Sequence, residues 1–168
     1  GQVGRTEAIV QPPDLMPTIL ELAGVPIPQT VQGRSCAGVV RGEAQAHREL
    51  AVSSPSIIHR AGHRFSTITT PEWALIYPGV EQADQAGTTS AVDSVRRAET
   101  AVLAGAGGPE LYHLPTDPAQ RRNLLAERMD VAGELHARYV QFLESLGTAE
   151  EHLAARRRLV GPGGMCTG

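Results

Sequence analysis

The 168 residues suffice for one core of ordinary size or for part of a larger one. A formal net charge of −3 leaves no electrostatic footprint for nucleic acid, and no basic helix suggests a membrane surface. No apolar run approaches the roughly 20 residues that cross a bilayer, so the chain is expected to be soluble. All fifteen basic residues are arginines, scattered along the chain, which reads first as coding bias.

The sequence opens Gly1-Gln2-Val3 without a methionine or a leader pattern, so it is expected to be processed or excerpted from something longer, with its compartment undetermined. Cys36 and Cys166 do not make a disulfide framework.

In chain order, residues 1 to 13 are a polar entry segment. Asp14 is placed to cap a helix running to about Ala23, with Leu15, Ile19, Leu22 and Ala23 on one stripe and Gly24 as its stop. Pro17 is compatible because it falls in the first turn. A helix this short and apolar must be docked on something. Val25-Pro26-Ile27-Pro28 cannot continue it, and Gly33 and Gly38 mark further turns.

From Glu49 the period falls to two. Leu50 to Val52, Phe65 to Thr70, Trp73 to Tyr77 and Glu110 to Leu114 read as four strands of a small antiparallel sheet. Residues 79 to 109 have few large apolar side chains and read as a flexible insertion, although Ser90 to Leu103 could hold a weak helix. From Met129 to Leu146, Ala132, Leu135, Tyr139, Phe142, Leu143 and Leu146 recur at helical spacing before Gly147, giving a helix long enough to cover one face of the sheet. Glu150 to Arg158 suggests a polar helical turn or two, with the Arg156-Arg157-Arg158 run as a solvated helix end, and the last residues a disordered tail. Within "GPELYHLPTDPAQRRNLL", "ELYHL" is then the last strand, "PTDP" its turn, and "RRNLL" the approach to the covering helix.

Two stretches together resemble a known family. "DLMPTILELAGVPIPQTVQGRS" followed by "ELYHLPTDPAQRRNL" is similar to the C-terminal part of the sulfatases, within the alkaline-phosphatase-like superfamily. Asp14, Pro17, Thr18, Leu20, Gly33, Arg34 and Ser35 carry the first motif. Glu110, Leu111, Tyr112, Leu114, Asp117, Pro118, Asn123 and Leu124 carry the second. Cys36, "AGVV", His113 and Gln120 depart from the family pattern at positions it does not use for chemistry.

The resemblance implies an α+β fragment of an α/β sulfatase-like fold. Residues 1–47 would be the end of the large domain, including its helix. Residues 48–147 would form a C-terminal subdomain, a four-stranded antiparallel sheet covered by a helix, with the insertion at 79–109. Residues 148–168 would be a polar turn and tail. The intact enzyme would hydrolyse sulfate esters, of small molecules or glycans, using a formylglycine nucleophile and a calcium ion held by the missing N-terminal catalytic portion.

On the residues themselves, no catalytic or metal-binding position is expected here. Cys36 lacks the proline and the correctly spaced arginine of Cys-x-Pro-x-Arg, Ser53-Ser54-Pro55 lacks the arginine, and the aspartates are isolated. Asp14 reads as a helix cap before a metal ligand, and Trp73, Tyr77 and Tyr112 as sheet residues before a ligand platform. His59 and His63 are spaced H-x-x-x-H but lack the adjoining glutamate of a zinc protease. "HRAGHR" is a polar hairpin on one reading. On another, His59, Arg60, His63 and Arg64 form the sulfate-facing rim of the parent enzyme, because arginine and histidine suit anionic groups. Two other functions remain open: a phosphate or phosphonate ester hydrolase of the same superfamily, and a non-catalytic binding or assembly module.

Overall fold

The computed structural model describes residues 4–54, 65–78 and 109–159. The expected rim at 59–64, almost all of the insertion at 79–109, and the tail from 160 lie outside the described residues. Two compact units meet in sequence at Ala51 and Val52.

In the first unit, Pro12 and Pro13 preset the backbone of a short 3-10 turn, Pro12–Asp14, which runs directly into helix α1, Leu15–Leu22. Gly24 ends α1 with a φ of +70°, a left-handed geometry that costs a side-chain-bearing residue energy. Its N–H bonds Glu21 O at 3.0 Å while the Val25 N–H bonds Leu20 O at 2.8 Å, which satisfies the last carbonyls of the helix. Pro17 and Thr18 are buried, whereas Leu15, Met16, Ile19 and Leu22 are exposed. The apolar stripe expected from the sequence is therefore the uncovered face of α1 in this chain. A one-turn helix that the periodicity did not reveal, α2, occupies Ala37–Val40. Ile9 bridges Arg48 in antiparallel fashion, returning the end of the unit to its beginning.

The second unit is built on a four-stranded sheet in the order β1 (Ala51–Ser53), β2 (Phe65–Thr69), β3 (Trp73–Pro78) and β4 (Glu110–His113). β2, β3 and β4 are antiparallel neighbours. Register places Ile68 opposite Leu75 and Leu75 opposite Leu111, and all three are fully buried. This row gives the sheet its apolar face. Burying each such side chain stabilises the fold by about 1.5–3 kcal/mol.

Helix α3, Met129–Ser145, covers the sheet with Ala132, Leu135, His136, Tyr139 and Leu143, a spacing that keeps them on one side of a 3.6-residue helix. Ser66 on β2 opposes Tyr77, and its hydroxyl meets the Tyr139 hydroxyl at 2.9 Å. Two buried polar groups thereby satisfy each other. Gly147, with a φ of +69°, ends α3 as Gly24 ends α1. A further short helix, α4 (Glu150–Leu153), and a 3-10 turn, Ala154–Arg156, follow. This segment is not simply polar, because Leu153 is buried.

The step from β4 to α3 explains the breaks in "YHLPTDPAQRRNLL". Asp117 Oδ2 accepts the N–H groups of Arg121 and Arg122, both at 2.8 Å, and Gln120, just before them, takes a positive φ. Asn123 Oδ1 then accepts the Leu111 N–H at 3.0 Å and the Leu125 N–H at 2.9 Å, and the Leu124 N–H donates to Leu111 O at 2.7 Å. The segment thus pairs with the free edge of β4 and removes open backbone donors and acceptors from it.

Candidate functional site

The most concentrated polar constellation among the described residues lies in the first unit, around Asp14. Its side chain is wholly buried. Oδ2 accepts the Gln11 N–H at 3.0 Å and Arg48 Nε at 2.6 Å. Oδ1 accepts the Arg34 N–H at 2.9 Å and Arg48 Nη2. Arg48 therefore grips the carboxylate bidentately, the strong geometry for this pair. Burial alone would push the Asp14 carboxyl up, but the Arg48 guanidinium and the N–H groups of Arg34 and Gln11 outweigh it and hold the group well below the usual carboxylate range. The same bond raises Arg48.

Asp14 thus stands at the N-cap position of α1, as expected, but its side chain does not cap the helix. It makes no side-chain bond to the first turn of that helix and instead closes the 3-10 turn ahead of it through the Gln11 N–H. Thr18, one turn along α1, donates from Oγ1 to Asp14 O at 2.6 Å and accepts the Cys36 N–H at 2.9 Å. Gly33 lies so near the backbone just ahead of Asp14 that a Cβ there would stand 1.8 Å from Pro13 O. Asp14 and Thr18 from one end of the motif therefore hold Arg34 and Cys36 at the other, with Gly33 required by the close approach.

His47 completes the cluster. Its side chain is 9% exposed, and Nε2 lies 3.3 Å from Asp14 Oδ2 without hydrogen-bond alignment. Neither His47 nor Arg48 was singled out from the sequence. Arg48 is 34 residues from Asp14, and no local period connects the two.

This arrangement suits structural locking rather than catalysis. Both oxygens of Asp14 are engaged by a guanidinium that would repel a divalent cation. Among the described residues no group of three or more His, Cys, Asp or Glu is placed to hold a metal ion. Cys36 is a buried free thiol with Sγ 3.3 Å from Thr18 Oγ1, an inert setting rather than an activated one. The described residues thus do not fit the calcium ion or the formylglycine that the family resemblance implies.

The aromatic residues behave as sheet elements. Tyr112 donates to Glu110 Oε2 at 2.8 Å, and burial together with that carboxylate pushes its hydroxyl up to about 12. The Trp73 ring packs against His113 at 4.6 Å and beneath the Arg128 guanidinium at 5.2 Å. His59, Arg60, His63 and Arg64 lie outside the described residues.

No protein-family model matches the chain. It is 31% identical over 111 residues to a Delta 4,5-hexuronate-2-O-sulfatase of Bacteroides thetaiotaomicron, a match covering 66% of this chain and 18% of that protein. A structure from work on the metabolism of multiple glycosaminoglycans by Bacteroides thetaiotaomicron superposes with a TM-score of 0.61 at 21% identity, over 88% of this chain and 30% of its own. A 2-O GAG sulfatase superposes with a TM-score of 0.55 at 19% identity, over 88% of this chain and 29% of its own.

The class defined by these likenesses is the sulfatase fold, of which this chain presents an α+β segment with one antiparallel sheet. The chain itself is sulfatase-like in sequence and in fold, resembling the C-terminal portion of such a protein as its two motifs imply. It spans 18% of the length of the curated relative. Among the described residues no helix is long and apolar enough to cross a membrane.

Proposed function

We propose that the chain is part of a sulfate-ester hydrolase in which it completes the fold and the substrate rim, while nucleophile and metal ligands come from other sequence. The observation that carries this reading is the 31% identity to a 2-O-sulfatase over 111 residues. The substrate class is then a sulfated small molecule or glycan. On this reading residues 1–47 close the large domain, residues 48–147 form the C-terminal subdomain and residues 148–168 are an appendage.

His59, Arg60, His63 and Arg64 would line the rim, where guanidinium forks and imidazoles bind sulfate oxygens through charge-assisted hydrogen bonds. A calcium ion would supply Lewis acidity at the sulfate group of the intact enzyme. The contribution of this chain is to hold the rim and the Asp14 lock in place.

The test is to read the DNA on the 5′ side of this sequence in the same frame, express the whole frame, and compare kcat/KM on 4-nitrophenyl sulfate and 4-nitrophenyl phosphate. A Cys-x-Pro-x-Arg motif with sulfate preferred, and a raised KM in Arg60→Gln and Arg64→Gln, is the expected result. Preference for phosphate would replace this reading with the phosphoesterase. A frame without a nucleophile, and without turnover of either ester, would leave the non-catalytic module.

A further inference from the structure

Beyond Gly147 the chain turns back over its own core. Leu153 is buried, and the carbonyl groups of the arginine run serve as anchors. His136 Nε2 on α3 lies 2.8 Å from Arg156 O, and the Tyr77 hydroxyl on β3 donates to Arg158 O. The guanidiniums point elsewhere: Arg156 Nη1 to His152 O at 2.6 Å, and Arg157 to Glu144 at 2.9 Å and Glu150 at 3.0 Å. Residues 148–159 thus form a strap fastened by its backbone.

We infer that His136 is a proton-sensitive latch for this strap: a neutral imidazole keeps residues 148–159 fastened to α3 and β3, and an imidazolium releases them. The His136 ring is buried and packs 4.8 Å from the Tyr77 ring, which in turn lies 6.0 Å from Tyr139. The ionisable groups beside the ring are these two tyrosines, from β3 and α3; the strap meets it through the Arg156 carbonyl, with the guanidiniums of Arg156 and Arg157 turned to His152 O, Glu144 and Glu150. Glu144 and Glu150 are bound to Arg157, and Glu151 lies 3.5 Å from His152. Among the described residues no carboxylate touches His136.

A neutral ring donating from Nε2 to the Arg156 carbonyl is satisfied there. A second proton at Nδ1 would place a full charge in a buried site with only a carbonyl dipole to offset it. Unfastening the strap lets water reach the ring and relieves that cost. Burial accordingly pushes the histidine below its ordinary range, against the bond to Arg156 O. The folded-state value being depressed, the fastening is complete above pH 6.5 and weakens as the pH falls below it.

The test uses the 168-residue chain. Hydrogen exchange, corrected for the intrinsic effect of pH, should show protection in residues 150–159 falling by about fivefold or more between pH 7.5 and 5.0, while that of Trp73 to Tyr77 holds. His136→Gln retains a donor but cannot titrate, and its strap protection should be equal at the two pH values. Equal protection in the wild type, or pH sensitivity persisting in the variant, overturns the inference. Should His136→Gln fail to fold, the wild type still decides. The midpoint of strap release must coincide with the NMR titration of the His136 ring, and coincidence with His152 instead refutes the latch.

Discussion

The Arg34 N–H donates to Asp14 Oδ1 at 2.9 Å across twenty residues of sequence. Together with the bond from the Cys36 N–H to Thr18 Oγ1, it makes "DLMPT" and "GRS" one structural unit, clamped from a third segment by Arg48. A loop rich in proline and glycine is thereby returned to the helix it left. Its order depends on a buried carboxylate.

Asp14→Asn should therefore destabilise the first unit severely. The substitution leaves the Arg48 charge largely buried without its partner, which costs about 3–5 kcal/mol. Urea unfolding of the variant checks the magnitude. In Asp14→Asn with Arg48→Met the loss should be smaller than the sum of the two single losses, since neither charge is then stranded. Additive losses would mean that the two side chains do not interact.

The same pair sets an acid limit. Asp14 lies far below its ordinary value of 3.8 when folded, so its stabilisation is complete above about pH 5 and is lost as the pH falls through 3.8 toward the folded value. Protection of the Arg34 and Cys36 amides from hydrogen exchange should fall over that interval. In Asp14→Asn the dependence should be nearly flat.

Gly33→Ala tests the close approach. Its Cβ would stand 1.8 Å from Pro13 O, a backbone atom that cannot rotate away, whereas at Gly4 nothing lies within 4 Å. Gly33→Ala should abolish the protection of the Arg34 amide. Gly4→Ala should leave it unchanged.

On α1, Ile19 and Thr18 are adjacent but not equivalent. Ile19 is 65% exposed, so Ile19→Ala should change stability by no more than about 0.5 kcal/mol. Thr18→Val keeps the shape but deprives the Cys36 N–H of its acceptor, at about 1–3 kcal/mol. Thermal unfolding of the two variants should separate them clearly, and an equal effect would contradict the burial described here.

Asn123→Ala should loosen the outer edge of β4. Leaving the Leu111 and Leu125 N–H groups without their acceptor costs about 1–3 kcal/mol, and exchange at the Leu111 amide should accelerate more than at Leu75. Asn123→Asp, which keeps an acceptor in place, should recover much of the loss.

Local chemistry accounts for what could be read in advance. The alternation in Phe65 to Thr70 and Trp73 to Tyr77, the stops at Gly24 and Gly147, and the helical spacing of Ala132, Leu135, Tyr139 and Leu143 each reflect interactions within a few residues, and the elements lie where those patterns place them. α2 was missed because four residues carry too little periodicity to stand out.

What tertiary structure alone decided is the work of the polar residues. Asp14 had the position of a cap, yet a carboxylate shut away from water is controlled by its strongest donor, and that donor, Arg48, arrives from 34 residues away. Arg156 to Arg158 had the look of a solvated helix end, yet the carbonyls of Arg156 and Arg158 meet His136 and Tyr77, from α3 and β3. Periodicity determines which side chains leave water. Which polar partners meet once water is gone depends on how distant segments come together, and that information appears only in the folded chain.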